Sequence, residues 1–245
     1  SSLKSKSKKY LRIDLKDSVQ LIKLLEKENP KIIINLASKV SFKSKINELY
    51  QLNVLCPKLL ANYCYENNSF LIQASSIAVN GSNSLAYNNS TALNPDNDYG
   101  RSKLNAEKYI INSGCKYTIL RFGGIFGKNG PNHLGINRII NDAMNRIVPK
   151  MNDSRFSKRN YIYVKDAACA IIKCIEEEIT GVHYLGGELK TIEEMVYDIC
   201  NTFLLGKPPE ITKGKSSKDQ IICSSTSFDN RPFKIALEDM IWKLV

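Results

Sequence analysis

Long apolar runs are missing from this chain. No stretch approaches the roughly 20 apolar residues of a membrane-spanning helix, and Ser1 to Lys9 is polar and basic, without the apolar centre of a signal peptide. Histidine is scarce. His133 and His183 stand apart from other ligand types, so no metal site is expected. The 7 cysteines are odd in number and include no Cys-x-x-Cys pair, which points to reduced thiols of a cytoplasmic protein rather than a disulfide framework. Cys169 and Cys174 lie in an apolar helical stretch and are expected in the core. Glycine is absent from residues 1–80; the earliest is Gly81. A glycine turn that lets the backbone close on a phosphate is thereby excluded from residues 1–80.

What is present is positive charge. The formal balance is +11, from 35 basic and 24 acidic residues. The surplus is mostly lysine and spread along the chain, apart from the run Lys4 to Lys9, with no arginine-rich or aromatic-interleaved stripe of the kind nucleic-acid readers use. Nucleic acid is therefore not the expected partner, nor is a membrane. A diffuse positive field also suits a diphosphate-bearing substrate. With 43% hydrophobic residues among 245, the chain can bury one substantial core and a smaller second lobe.

Periodicity predicts alternating strands and helices. Strands are expected at 10–14, 31–36, 70–74 and 117–122, the second all-apolar as in a parallel sheet covered on both faces. Helices are expected at 18–28 and 45–66, the latter kinked or broken at Pro57, and from Tyr99 to about 111. Beyond Gly123 the pattern turns irregular, with helices at 134–146, 166–177, 192–203 and after Ala236, and a strand near Tyr161. Such alternation predicts an α/β fold, a doubly wound parallel sheet with helices on both faces. Ligands in such sheets bind outside the carboxyl ends of the strands. Asp14, Leu36-Ala37-Ser38, Ser75-Ser76 and Arg121 to Gly124 fall at such ends.

Tyr99-Gly-Arg-Ser-Lys103 carries the chemistry. A tyrosine and a lysine four apart on a helix share one face, and the ammonium favours the phenolate, so the pair can move a proton near neutrality. Ser76 beside them can hold a substrate oxygen in line. The same spacing recurs at Tyr161 and Lys165, but in an alternating β-rich run, where residues four apart are roughly 13 Å apart and do not converge; that match is read as coincidence.

On these residues the chain resembles the extended short-chain dehydrogenase/reductase superfamily, in its nucleotide-sugar epimerase/dehydratase branch. Asn35-Leu-Ala-Ser38 is similar to that family's His-Leu-Ala-Ala, Ser75-Ser-Ile-Ala-Val-Asn-Gly81 to its Ser-Ser-x-x-Val-Tyr-Gly, and Tyr99 to Lys103 with Ala106-Glu107 to its Tyr-Gly-x-Ser-Lys…Ala-Glu. Leu120 to Gly127 and Arg159 to Asp166 continue the match. The resemblance implies a Rossmann-like cofactor domain over 1–125 with its N-terminal strands missing, and a small substrate lobe over 126–245 interleaved with the end of the sheet. It implies NAD or NADP as cofactor and a nucleotide sugar as substrate. Ser76, Tyr99 and Lys103 take the catalytic places. Asp14, Leu15, Leu36, Ala37, Ser38, Asn53 and Gly123 join Tyr99 and Lys103 toward the cofactor, and Gly124, Arg159 and Arg231 join Ser76 toward the substrate. A homodimer through the two long helices is a further expectation.

The departures matter as much. The family's opening strand–Gly-x-x-Gly-x-x-Gly–helix has no counterpart, so the chain is expected to be part of a longer protein; the alternative is a degenerate, non-catalytic member that binds or regulates. Ile77 and Ala78 stand where dehydratases carry an acid pair, so 4,6-dehydration is not expected. Ser-Ser-Ile-Ala-Val and Tyr-Ile-Tyr-Val lean toward a 4-epimerase, whereas Asn35 and Asn230-Arg-Pro-Phe233 look more like the deoxysugar reductases. Without glycine-turn donors for the pyrophosphate, this 245-residue chain should give no saturable calorimetric binding of NAD(H) or NADP(H) at micromolar concentrations. Tight binding would mean that another segment supplies the phosphate site.

Overall fold

The structure is a computed structural model and describes residues 10–41 and 45–241. Its centre is a parallel sheet of four strands: β1 (Ile32–Asn35), β2 (Phe70–Ser76), β3 (Lys116–Phe122) and β4 (Gly181–Leu185), adjacent in that order. The register pairs Ile32 with Phe70, Phe70 with Lys116 and Leu120 with His183. The fold is α/β, as the alternation predicts. No helix among the described residues is long and apolar enough to cross a membrane.

The helices follow from their caps and stripes. Asp17 accepts from Val19 and Gln20 and starts α1 (Ser18–Glu28), and Asn29 ends it in the left-handed region at φ 41°. From α2 (Ile46–Tyr50) the chain runs through one π-turn (Gln51–Leu55) into α3 (Cys56–Glu66). The interruption expected at Pro57 is this π-turn: Pro57 sits just after it, in the first turn of α3. There its missing N–H interrupts no regular ladder. Asn97 caps α4 (Asp98–Asn112) by accepting from Gly100. Then come α5 (Gly135–Met144), α6 (Val164–Glu176), α7 (Ile192–Phe203) behind a capping box at Thr191 and Glu194, and α8 (Phe233–Ile241).

One sheet face packs Leu71 and Ile119 against Leu21, Leu25, Leu60 and Ile110. The other lays Phe70, Ile72 and Leu120 under Ala167, Ala170 and Cys174 of α6. A separate cluster of Phe126, Ile140, Met195, Ile199, Phe233 and Leu237 joins α5, α7 and α8.

Three expectations fail for physical reasons. Residues 10–14 form no strand, because no neighbouring strand lies beside them among the described residues. β1 is an edge strand, and Ile32 and Ile34 on its α6-side face are 40% and 43% exposed rather than covered. Cys169 faces solvent, while Cys174, five residues on, is buried; the two lie on different sides of α6.

A close backbone approach sets up the site. Helix α4 passes so near the turn Ile77–Asn80 that a Cβ on Gly100 would sit 2.3 Å from the Ala78 carbonyl oxygen. Alanine is the better helix former by about 1 kcal/mol, but a backbone clash cannot be relieved by a rotamer. Gly100→Ala is expected to lower the urea midpoint by about 1–3 kcal/mol of stability. A neutral or stabilising result would mean that α4 can back away from the turn.

Candidate active site

β2 ends at Ser76, whose extended backbone starts a 3₁₀ turn; its Oγ accepts from the Ala78 N–H at 3.2 Å. Directly opposite, the first turns of α4 carry Tyr99 and Lys103 on one buried face, 7% and 3% exposed. Tyr99 hydrogen-bonds with the hydroxyls of Ser38 and Ser76. Lys103 donates from Nζ to the Ala74 carbonyl at 2.6 Å. The ends of β1 and β2 and the first turns of α4 therefore meet at one wall.

Asn53, in the π-turn, ties this wall together. Its Oδ1 accepts from the Lys39 N–H at 2.8 Å and from Ser38 Oγ at 3.3 Å, and its Nδ2 donates to the Lys39 carbonyl and to Ser102 Oγ. Ser102 in turn donates to the Tyr99 carbonyl at 2.7 Å. A buried amide with both ends satisfied fixes the Ser38 loop against α4. Below it, Glu107 accepts from Ser75 Oγ at 2.5 Å and pairs with Arg121 Nη2 at 2.6 Å. Arg121 also reaches Tyr184, which donates to Asn80.

The electrostatics differ from the expectation. Burial raises the Tyr99 pKa, and the groups that pull it back are the Ser38 and Ser76 hydroxyls rather than Lys103. The Lys103 ammonium is committed to the Ala74 carbonyl, and burial pushes its own pKa down to about 8 against the upward pull of Glu107.

Beside this wall lies a cleft of about 730 Å³. Leu36, Ser38, Ser76, Tyr99, Lys103, Gly123 and Gly124 line it. Other expected site residues lie elsewhere. Asp14 and Leu15 are outside the cleft, and exposed Asp14 bonds its own turn through the Lys16 N–H. Ala37 is also outside it, its N–H held by Asn35 Oδ1 at 3.2 Å. Asn53 stands behind the wall rather than on it. Arg159 spends its guanidinium on the Lys158 and Lys218 carbonyls and on Ser217. It borders a separate groove of about 280 Å³. Arg231 pairs with Asp166 at 2.6 Å and lies over the Tyr163 ring, so neither arginine is offered to a ligand in the cleft. Gly123 and Gly124 are required by packing: a Cβ would meet Ile222 at 2.2 Å and Tyr161 at 2.5 Å. The chance pair Tyr161 and Lys165 is split, Lys165 going to Asp239.

Lys128 and His133 also line the cleft; the sequence gives them no role, and it places Ser102, Glu107 and Arg121 inside motifs without assigning them a function. His133 carries no local signal. Arg121, a charge inside the apolar run 117–122, and Glu107, one helical turn beyond Lys103, did carry one.

Residues 2–202 match the model of the RmlD substrate binding domain family. The methionine adenosyltransferase 2 subunit beta of Rattus norvegicus is 24% identical over 255 residues, spanning 96% of this chain and 76% of that protein. A dTDP-4-dehydrorhamnose reductase of Aggregatibacter actinomycetemcomitans is 24% identical over 176 residues, 70% of this chain and 58% of its own. The crystal structure of UDP-N-acetylglucosamine 4-epimerase from Bacillus cereus superposes with a TM-score of 0.81 at 26% identity, covering 95% of this chain and 85% of that one. Other solved structures of this fold were determined in complex with NAD.

The depressed Lys103 pKa has a testable consequence. Between about 8 and the usual lysine value of 10.5 the folded state binds fewer protons than the unfolded one, so the Lys103 contribution to stability rises with pH over that window. Buried thiols with raised pKa values, such as Cys56 and Cys64, act in the opposite sense, so the effect is isolated by a difference. The stability of Lys103→Met minus wild type, from urea unfolding, should be most favourable to the variant below pH 8. It should shrink by up to about 3 kcal/mol as the pH approaches 10.5. A pH-independent difference would contradict a desolvated ammonium.

Proposed function

The chain belongs to the RmlD substrate binding domain family, and on that premise we propose that it is an NAD(P)-dependent oxidoreductase of a nucleotide-activated sugar, reducing a ketosugar. The observation that carries this reading is the convergence of Ser76, Tyr99 and Lys103 on one wall of the cleft. The family and the dTDP-4-dehydrorhamnose reductase relative support the reductive direction over the 4-epimerase suggested by Ser75 to Val79.

The described residues fit the nicotinamide-ribose end of the cofactor. Leu36 and Ala74 offer an apolar wall, and Lys103 uses one hydrogen bond on Ala74, leaving two ammonium hydrogens for ribose hydroxyls. They offer no glycine cradle for the pyrophosphate end. When bound, the nicotinamide supplies a hydride to the carbonyl carbon of the sugar.

The residues of this chain handle the oxygen. Ser76 donates a hydrogen bond to the ketone and holds it toward Tyr99. The Tyr99 phenol gives its proton to that oxygen as the carbonyl carbon becomes a secondary alcohol. As the proton leaves, the Ser38 hydroxyl turns its hydrogen from Asn53 Oδ1 to the phenolate, while Ser76 stays on the substrate oxygen. Asn53 holds Ser38 so that its hydroxyl stays in reach. Ile77 and Ala78 follow Ser76 with no ionisable group, so an acid–base pair for eliminating water from C5 and C6 is missing at those two positions.

A second reading is favoured by the rat relative, a subunit of a methionine adenosyltransferase that matches nearly the whole chain: a family member that binds or regulates without turnover. Binding to a methionine adenosyltransferase catalytic chain, with no ketosugar reduction, would favour it.

Tyr99→Phe removes the proton and little else. In an assay of NAD(P)H consumption with a nucleotide 4-ketosugar, it should cost about 10²–10⁴-fold in kcat while circular dichroism and Tm stay near wild type. Retained turnover in that variant would overturn the role of Tyr99. Turnover without net NAD(P)H consumption would make the protein an epimerase.

A further inference from the structure

Helix α4 holds the end of β2 at two consecutive residues, each through a buried charge. Lys103 donates to the Ala74 carbonyl at 2.6 Å, and Glu107, one turn on, accepts from Ser75 Oγ at 2.5 Å. Ser76 is the next residue. We propose that Glu107 is a positioning residue for this site: clamped by Arg121, it holds the Ser75–Ser76 turn against α4 and keeps the buried Lys103 ammonium charged. This rests on the reading that Lys103 and Ser76 serve the reaction.

The geometry separates this from an ordinary structural ion pair. Glu107 is 1% exposed and Arg121 5%. The guanidinium reaches both carboxylate oxygens, with Nε at 3.1 and 3.2 Å and Nη2 at 2.6 Å. The Ser75 hydroxyl takes a remaining acceptor position, so the carboxylate cannot turn away without breaking several bonds at once. The partner of Arg121 on its far side is Tyr184, at 2.7 Å, itself held by Asn80. The clamp thus spans α4, β2, β3, β4 and the turn after Ser76.

Charge counting gives the second half. The ionisable groups around Lys103 are Tyr99 and Glu107 on its own helix, Arg121 on β3, and Tyr184 on β4 across Arg121. β2 offers no ionisable side chain, only hydroxyls, carbonyls and the Gln73 amide, which also donates to the Ala74 carbonyl, and the π-turn offers the Asn53 amide. Two cations share one carboxylate in a dry region. Desolvation disfavours the Lys103 charge, and Glu107 opposes that loss. Removing the carboxylate charge leaves two buried cations with no counter-ion between them.

The test reads Lys103 directly. In protein labelled at lysine Cε with carbon-13, the Lys103 resonance is identified by its absence from the spectrum of Lys103→Arg, and its titration is followed in wild type, E107Q and S75A. In E107Q the Lys103 midpoint should fall by at least about one pH unit, a tenfold weaker hold on the proton. In S75A, which keeps the charge and loosens the turn, the midpoint should stay at the wild-type value or rise, and should not fall. An unchanged or raised midpoint in E107Q, or equal shifts in both variants, would overturn the proposal, because simple loosening moves a lysine toward its solvent value. Should E107Q not be recovered folded, Glu107→Asp retracts the charge by one methylene and should lower the midpoint by a smaller amount; no lowering there is equally fatal. Reductive turnover is measured alongside, and the alkaline limb of its kcat/KM profile should move to lower pH in E107Q. Wild type without turnover would refute the reductase reading while leaving the Lys103 titration to decide this one.

Discussion

A carboxylate and a guanidinium sealed from water join the helix of Tyr99 to the sheet, and the geometry of the cleft depends on them. Taking Glu107 and Arg121 out of water costs several kcal/mol per ion, which a buried pair recovers only with near-ideal geometry and every remaining polar valence filled. Here the fork-to-fork contact, the Ser75 hydroxyl and the Tyr184 phenol fill them. An apolar pair of similar volume could hold α4 to β3 as firmly. It could not also hold a serine at the end of β2 by its hydroxyl, or place a negative charge one turn from Lys103. The ion pair is expensive as mortar and is explained by what it orients.

The same logic separates two kinds of buried polar residue in the chain. Asn53 and Asn80 act as crosslinks: one joins the Ser38 loop to α4, and the other takes the Tyr184 hydroxyl while donating to the Thr91 and Ala92 carbonyls. Neither faces the cleft, yet each fixes a segment that does. Arg159 and Arg231 are crosslinks too, consumed by backbone carbonyls and by Asp166 and Asp239. Among the described residues, the lysines lining the cleft are Lys103 and Lys128.

Much of this was legible in sequence, and the failures have a common cause. The helices were found because each carries its own cap and apolar stripe: 192–203 behind Thr191 and Glu194 coincides with α7. β2 and β3, apolar and central, were found for the same reason. The segments misread were those whose state is decided by a neighbour. The apolar run 31–36 looks alike whether a helix covers both its faces or one, and only the sheet order shows that Ile32 and Ile34 lie uncovered. Residues 10–14 have strand propensity and, among the described residues, no strand to pair with. Of the site, Ser76, Tyr99 and Lys103 could be named from spacing and resemblance, because a helix and a strand end place them. Arg159 and Arg231 could not be judged, because their partners lie up to 65 residues away in sequence.

The state of Tyr99 bears on the direction of the proposed chemistry. A phenol beside a fixed ammonium would rest as phenolate near neutrality and serve as a base, which suits oxidation of an alcohol. In this structure burial is the largest influence on Tyr99 and raises its pKa, so the resting residue carries its proton. Lys103, meanwhile, turns its ammonium to the Ala74 carbonyl and has a pKa lowered to about 8. A protonated tyrosine under two serine hydroxyls is arranged to give a proton to an oxygen that is gaining negative charge. That is the need of a carbonyl being reduced. In the proposed reaction Ser76 holds the substrate oxygen and the Ser38 hydroxyl is within reach of the phenolate, so the environment of this one side chain suits it to give a proton.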